Sequence, residues 1–220
     1  MAKQLIDFLK SPLVVAIRVT LILLLIVSGI YPLVVWGVSQ AVFKHQADGS
    51  LVKNAQGTVV GSALLAQSFT KPEYFHPRPS AAGNGYDPTQ SSGTNLGPTS
   101  DKLINGVHKP KLANGKDDPA NFDGVKDLAA AYRKENSLPI DAPVPVDAAT
   151  RSGSGLDPQI SPANAALQAG RVAKARGVSA DVVAGLMKEN TQGRGLGFLG
   201  EPAVNVLTLN IALDKAAPAK

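Results

Sequence analysis

Apolar residues run without a formal charge across positions 19–38 (VTLILLLIVSGIYPLVVWGV). Beyond that run they fall into short periodic groups set between polar, proline- and glycine-rich stretches. About twenty residues at 1.5 Å each span roughly 30 Å, the hydrocarbon thickness of a bilayer. Apolar side chains on every face exclude an amphipathic surface helix. The run extends back to Pro12, because only Arg18 interrupts residues 13–38, and an arginine near a helix end reaches the interface. Pro32 is a site for a kink, and Tyr31 and Trp36 lie toward the far end, where aromatic belts form. A cleaved signal peptide is the competing reading, with Lys3 and Lys10 as its basic start and Ser39-Gln40-Ala41 as its cleavage site. The apolar stretch is too long for that, so a retained anchor is expected.

Lys3, Lys10 and Arg18 precede the core, while Lys44 and Lys53 follow it at a greater distance. The excess of positive charge stays inside, which puts the N-terminus in the cytoplasm and the bulk of the chain outside. The expected division is a cytoplasmic tail (1–11), a transmembrane helix (12–38) and a soluble domain (39–220). Ser28 and Thr20 are the polar groups within the span, and each can bond its own backbone. One helix of this kind anchors and does not conduct.

In the remainder, residues 58–69 (TVVGSALLAQSF) predict a short strand or two with a turn at Gly61. Residues 70–98 are dense in Pro, Gly, Ser and Asn, yet Tyr74, Phe75 and Tyr86 argue for an ordered, packed loop over a linker. A short helix capped by Thr99 or Ser100 is expected over 99–107, and an exposed turn over 109–119. The spacing of Val125, Leu128, Ala129 and Tyr132 predicts a helix over 122–136. A proline-rich connector (138–145) precedes Ser161-Pro162, a hydroxyl cap followed by proline at the first helical position. That helix should stop at Gly177, and a further helix capped by Ser179 should end near Asn190. Residues 203–213 (AVNVLTLNIAL) alternate in a way that predicts a strand covered on both faces. The fold class is α+β: one N-terminal transmembrane helix, then a compact domain of several helices and a small sheet.

Composition narrows the chemistry. The chain has 22 Lys+Arg against 17 Asp+Glu, a mild and dispersed excess, with no basic run interleaved with aromatics, so nucleic acid is not a partner. The absence of cysteine excludes disulfides, thiolate metal sites and a cysteine nucleophile. No phosphate-cradling G-x-x-x-x-G-K-[ST] loop occurs, nor the phosphorylation loop of a P-type pump. Gly195 to Gly200 (GLGFLG) matches G-x-G-x-x-G, but lacks the preceding strand and following helix of a dinucleotide site and reads as a turn. His45, His76 and His108 share no ligand spacing, so no metal site is expected. Ser152-Gly153-Ser154-Gly155 is no nucleophile elbow and no histidine follows it. No catalytic residue is expected. Arg171, Lys174, Lys188 and Arg194 read as a solvated basic face, with docking to an acidic partner or lipid head groups as the alternative.

Three long strings then carry a resemblance: GSALLAQSFTKPEYFHPRPSA (61–81), YDPTQSSGTNLGPTSDKL (86–103) and PVDAATRSGSGLDPQISPANAALQAGRVAKARG (145–177). Together with GFLGEPAVNVLTLNIALD (197–214) and an anchor ending in GIYPL (29–33), they resemble the KdpC family, the C subunit of the bacterial Kdp potassium-transporting ATPase. Ser92 stands where glycine is expected, and Ala203 where arginine is frequent. The resemblance implies a non-hydrolysing subunit in the bacterial inner membrane. Its partners would be the potassium-translocating subunit and the P-type catalytic subunit, with membrane lipid around the anchor. No cofactor of its own is implied: ATP would come through the catalytic subunit, and potassium is the ion that the complex transports. Such subunits are held to stabilise the assembly and to act as a catalytic chaperone that supports ATP binding.

The family's nucleotide-linked glutamine corresponds to Gln168. A domain outside the cell cannot touch cytoplasmic ATP, so assembly and allosteric support are the favoured reading. Direct contact with ATP, together with the catalytic subunit, is the alternative. With the domain outside, Tyr74, Phe75, Arg78, Tyr86 and Asn95 are the interface candidates, Arg78 through charge-assisted hydrogen bonds and the aromatics through buried area.

Overall fold

The computed structural model describes Ile6, Phe8 and residues 11–218; Lys3 and Lys10, two of the orienting charges, lie outside them. The chain divides into two compact units, Met1–Ser50 and Leu51–Lys220.

The first unit is built on one helix, Pro12–Val42, of 31 residues and mean hydropathy 2.7, none of it buried within the structure. Ser11 opens it by accepting the Val14 N–H, and Pro12 takes the first helical position, where its missing donor costs nothing. α1 (Pro12–Leu24) passes into a π-helical stretch, Leu25–Ile30, and then α2 (Tyr31–Val42). Pro32 has no N–H to return to the preceding turn and its ring crowds that turn. The wider π turn, in which the Tyr31 N–H reaches back to the Ile26 carbonyl, absorbs the mismatch without breaking the helix. A short helix, α3 (Lys44–Ala47), follows.

The second unit begins with a hairpin of β1 (Leu51–Lys53) and β2 (Val59–Ser62), antiparallel with an irregularity between Val52 and Lys53. Gly61 lies inside β2 and not at a turn. A Cβ there would meet the Gln67 side chain and Leu207, so glycine lets both pack onto the strand. Next come α4 (Asp101–Asn105), capped by Ser100, α5 (Val125–Glu135) and α6 (Val146–Ala149). β3 (Gln159–Ile160) leads into α7 (Pro162–Arg176), which opens on the Ser161 cap and ends at Gly177 in the left-handed conformation. α8 (Ala180–Glu189), capped by Ser179, is followed by β4 (Thr191–Gln192), β5 (Ala203–Asn205) and α9 (Val206–Ala216). β5 lies between β3 and β4, antiparallel to both.

The predicted strand over 203–213 is therefore corrected: it turns into a helix after three residues. Asn205 caps that helix by accepting the Thr208 N–H. The buried positions that follow, Val206, Leu207, Leu209, Asn210 and Leu213, recur at helical spacing. The β-branched residues that suggest a strand are outweighed by the core face they form when wound. That core joins α7, α8 and α9 through Val172, Val183, Leu209 and Leu213, with Ile160 and Val204 from the sheet and Phe75 from a long loop.

Candidate functional site

Residues 63–100 form neither helix nor strand. Peptide groups in such a segment need partners from elsewhere once they leave water. Side chains of α7 and α9 supply them. Phe75 and His76 are consecutive, yet their peptide groups are served from two different helices. Asn210 on α9 takes the Phe75 N–H (2.8 Å) and donates to the Phe75 carbonyl (2.9 Å). Gln168 on α7 does the same for His76, at 2.8 and 3.0 Å. Each amide thus stands in for a neighbouring strand, and the segment is held by both helices.

Gln168 has no group left over. Beyond its bonds to His76, its Nε2 donates to Asn164 Oδ1 (2.9 Å) and its Oε1 accepts from Arg171 (2.8 Å). The residue is 1% exposed. Asn164 carries the network on: its Oδ1 also accepts from the Tyr132 hydroxyl (2.8 Å), and its Nδ2 donates to Asp147 (3.0 Å). Asp147 in turn takes the Ser161 N–H (2.7 Å) and hydroxyl (2.9 Å) at the start of α7. Burial raises the Tyr132 phenol well above its usual range, with the negative charge of Asp147 adding to it. Tyr132 is therefore a neutral donor here.

Arginines tie down the upstream part of the loop. Arg171 donates to the carbonyls of Pro72 (2.7 Å) and Tyr74 (2.9 Å) and to Asn136 (3.0 Å). Arg176, whose side chain is fully buried, donates to the carbonyls of Glu73 and Ala217 (both 2.7 Å) and to Asp214 (2.9 Å). Its guanidinium also lies over the Tyr74 ring. Arg171 therefore leaves the basic face on which the sequence placed it. Burial lowers its pKa, against the opposing charge of Glu135.

On the other side of the loop, His76 donates from Nε2 to the Lys71 carbonyl (3.0 Å), while Nδ1 pairs with Glu135. Burial by itself would raise the Glu135 carboxyl. The hydrogen bond and charge of His76, with the charge of Arg171, outweigh it and hold that carboxyl below its ordinary value. A cleft of about 230 Å³ opens beside this pair, lined by Pro77, Pro79, Tyr86, Leu128, Tyr132 and Gln168 among others. Among the described residues lining it there is no lysine or arginine, and Glu135 stands at its wall. His76 also lines it but is paired with Glu135, so the lining offers a phosphate no free cation.

The expected interface residues separate. Phe75 is 0% exposed and lies in the domain's own core, which takes the area it was expected to offer a partner. Tyr74 is half-buried against Phe69 and Arg176, and burial, then Asp214, raises its pKa. Arg78 meets Asp157 (3.0 Å) and Thr150 (3.4 Å) within the domain, and its Nε is buried without a partner. The Tyr86 hydroxyl donates to the Arg78 carbonyl (2.8 Å), and burial pushes its pKa up to about 12. Asn95 is exposed with a φ of 53°, a left-handed conformation that asparagine tolerates.

The Ser152–Gly155 string proves to be a receptor for this loop. Ser92 N–H reaches the Ser154 carbonyl (2.9 Å) and the Ser80 hydroxyl donates to the Gly155 carbonyl (2.6 Å). A Cβ on Gly155, at φ 69°, would strike Ser92 and Ala82. Asn210, Arg176 and the His76–Glu135 pair were not singled out from the sequence. The helical spacing of 206, 209, 210 and 213 is the signal that points Asn210 inward. His108, Asp123 and Asp127, which share no ligand spacing in sequence, offer ligand atoms within 4.8 Å of one another. Asp127 there caps α5 by accepting the Gly124 N–H (2.8 Å) and pairs with His108 (3.1 Å).

Comparison with known proteins gives these features a context. Residues 13–215 match the family model described as KdpC: K+-transporting ATPase, c chain. The chain is 50% identical over 207 residues to the "Potassium-transporting ATPase KdpC subunit" of Mycobacterium bovis, covering 94% of this chain and all of that one. It is 53% identical over 189 residues to the protein of the same name from Caulobacter sp. (strain K31), covering 86% of each. With an apolar membrane-length helix, a loop clamped by α7 and α9 and this agreement along its length, the chain belongs to the KdpC family of potassium-transporting ATPase subunits.

Proposed function

We propose that this chain is a non-hydrolysing accessory subunit of an ATP-driven potassium import complex, anchored by one helix with its domain outside the cytoplasm. It stabilises the assembly with the potassium-translocating and P-type catalytic subunits, and supports ATP binding by the latter through allostery. The carrying observation is the state of Gln168: buried, with four hydrogen bonds to its own domain and none left to offer a nucleotide. The adjoining cleft has no lysine or arginine among its described lining residues, and its His76 is already paired with Glu135, so it offers a triphosphate no free cation. Gln168 is then a positioning residue. It holds the Phe75–His76 segment, and any effect of its loss on ATP affinity runs through the stability of the domain within the complex.

The test uses the absence of cysteine from the chain. Ala113→Cys, in an exposed turn, is labelled in intact cells with a membrane-impermeant thiol reagent. Labelling without lysis is the expected result. Protection that disappears only on lysis would put the domain in the cytoplasm and restore direct ATP contact.

A further inference from the structure

His108, Asp123 and Asp127 come from three separate pieces of chain. Val107 and Phe122 exchange two backbone hydrogen bonds (2.8 and 2.9 Å) where the chain leaves for its 109–121 excursion and returns. Asn121 fastens the next position, accepting the Lys109 N–H (2.6 Å) and donating to the Lys109 carbonyl (3.2 Å). His108 therefore stands on the outgoing arm, Asp123 just past the returning one, and Asp127 on the first turn of α5. Two glycines bring these pieces together. A Cβ on Gly124 would strike the Gly106 backbone, and one on Gly106 would strike the Asp127 carboxylate, the Phe122 carbonyl and His108 Nε2. One imidazole nitrogen and an oxygen from each of two carboxylates end within 4.8 Å of one another. The Nε2 proton of His108 serves Asp127 (3.1 Å), and the Asp123 carboxylate accepts no hydrogen bond among the described residues. The neighbouring cations are engaged elsewhere. Arg151 lies over the Phe122 ring (4.4 Å) and donates to the Asp123 carbonyl (2.9 Å), and Lys102 lies over the same ring (5.2 Å).

We propose that His108, Asp123 and Asp127 bind one divalent transition-metal ion of the zinc class, with water in the fourth position. An imidazole beside two carboxylates suits zinc and its neighbours, whereas magnesium and calcium take oxygen ligands. Tetrahedral bonds of about 2.0–2.1 Å place ligand atoms about 3.3 Å apart. His108 Nε2 and Asp127 already stand close to that, at 3.1 Å. The ion takes the place of the Nε2 proton, while Nδ1 keeps the proton left on the neutral ring. His108 and Asp123 are exposed, so the ion can enter from solvent. Once bound, it ties both ends of the 109–121 excursion to the start of α5. This site goes beyond the accessory-subunit reading and does not depend on it.

The test uses the full chain in detergent, purified without a histidine tag, stripped with EDTA and titrated calorimetrically with zinc sulfate. One ion per chain should bind, and excess magnesium should not displace it. Asp123→Asn and His108→Gln should each weaken zinc binding at least about tenfold, since even groups that merely support a metal ligand are worth that much. His45→Gln, outside the set, should leave binding unchanged. In EDTA, Asp123→Asn should melt with the unsubstituted chain, because that carboxylate holds nothing in the fold. Its loss of zinc therefore reads ligation, even if His108→Gln also disturbs Asp127. X-ray absorption of the zinc-loaded chain should show one imidazole among oxygen neighbours. Absence of zinc binding, binding undiminished in Asp123→Asn, or a spectrum with two imidazoles overturns the proposal.

Discussion

Two irregular, aromatic-bearing segments of the same domain end in opposite places. In the 70–79 loop Phe75 is 0% exposed; in the β4–β5 turn Phe198 is 69% exposed. Both are rich in residues that break regular structure. The difference lies in what surrounds them. The first passes between α7 and α9, which offer Gln168, Asn210, Arg171 and Arg176 to its peptide groups. The second meets no such side chains and satisfies its backbone by closing on itself. An aromatic in a loop is therefore drawn into the core only where the domain's own elements offer partners to the loop's peptide groups.

Substitutions at the two phenylalanines break this comparison most sharply. Phe75→Ala should cost about 3–5 kcal/mol, the usual penalty for emptying a large core site. Phe198→Ala should change stability by less than about 0.5 kcal/mol, as exposed positions do. Thermal melting of the solubilised chain reads both, at roughly 2–4 °C per kcal/mol for a domain of this size. Equal shifts would erase the distinction.

Next in size are the clamps. Asn210→Ala strands the buried N–H and carbonyl of Phe75 and Gln168→Ala the partly buried ones of His76, so each should cost about 2–4 kcal/mol, the first more than the second. Protection of the Phe75 and His76 amides from hydrogen exchange should fall selectively. Persistent protection in both variants would mean that the amides are not what holds the segment. Tyr132→Phe removes a buried hydroxyl that serves Asn164 and should cost about 1–2 kcal/mol, with Gln168 otherwise in place.

The smallest effect concerns pH. The Glu135 carboxyl is held below its unfolded value of 4.5 by its pairing with His76 and Arg171. Its contribution to stability is therefore complete above pH 4.5 and is lost as pH falls through the lower folded-state value. Melting of Glu135→Gln, followed from pH 6 downward, should lack that part of the acid loss. An unchanged acid profile would show that the pair is not coupled to folding.

Much of this fold was legible in the sequence, for reasons of range. The 161–177 helix is written in its own boundaries, Ser161-Pro162 at one end and Gly177 at the other, and the structure follows them residue for residue. The Ser179 cap and the spacing of Val125, Leu128, Ala129 and Tyr132 act equally locally, although the helix expected over 122–136 forms as Val125–Glu135. The 203–213 stretch failed because its residues satisfy two periods at once. Only burial against α7 and α8 chooses the helical one, although Asn205 as a cap was there to be read. The candidate site was legible in part. Gln168 was singled out through the family resemblance and the 70–98 loop through its aromatics, but not their contact with each other.

By itself the sequence determined the membrane-length helix, the absence of thiol chemistry, the helices that carry their own caps, and the family. Each depends on composition or on residues a few positions apart, whose interactions are present before the chain collapses. Tertiary structure alone decided that Asn210 and Gln168 hold a loop 135 and 92 residues away, that Phe75 turns inward and Phe198 outward, and that a strand-like run winds into α9. Those outcomes depend on which polar groups lose water together, and that is settled only when distant segments meet.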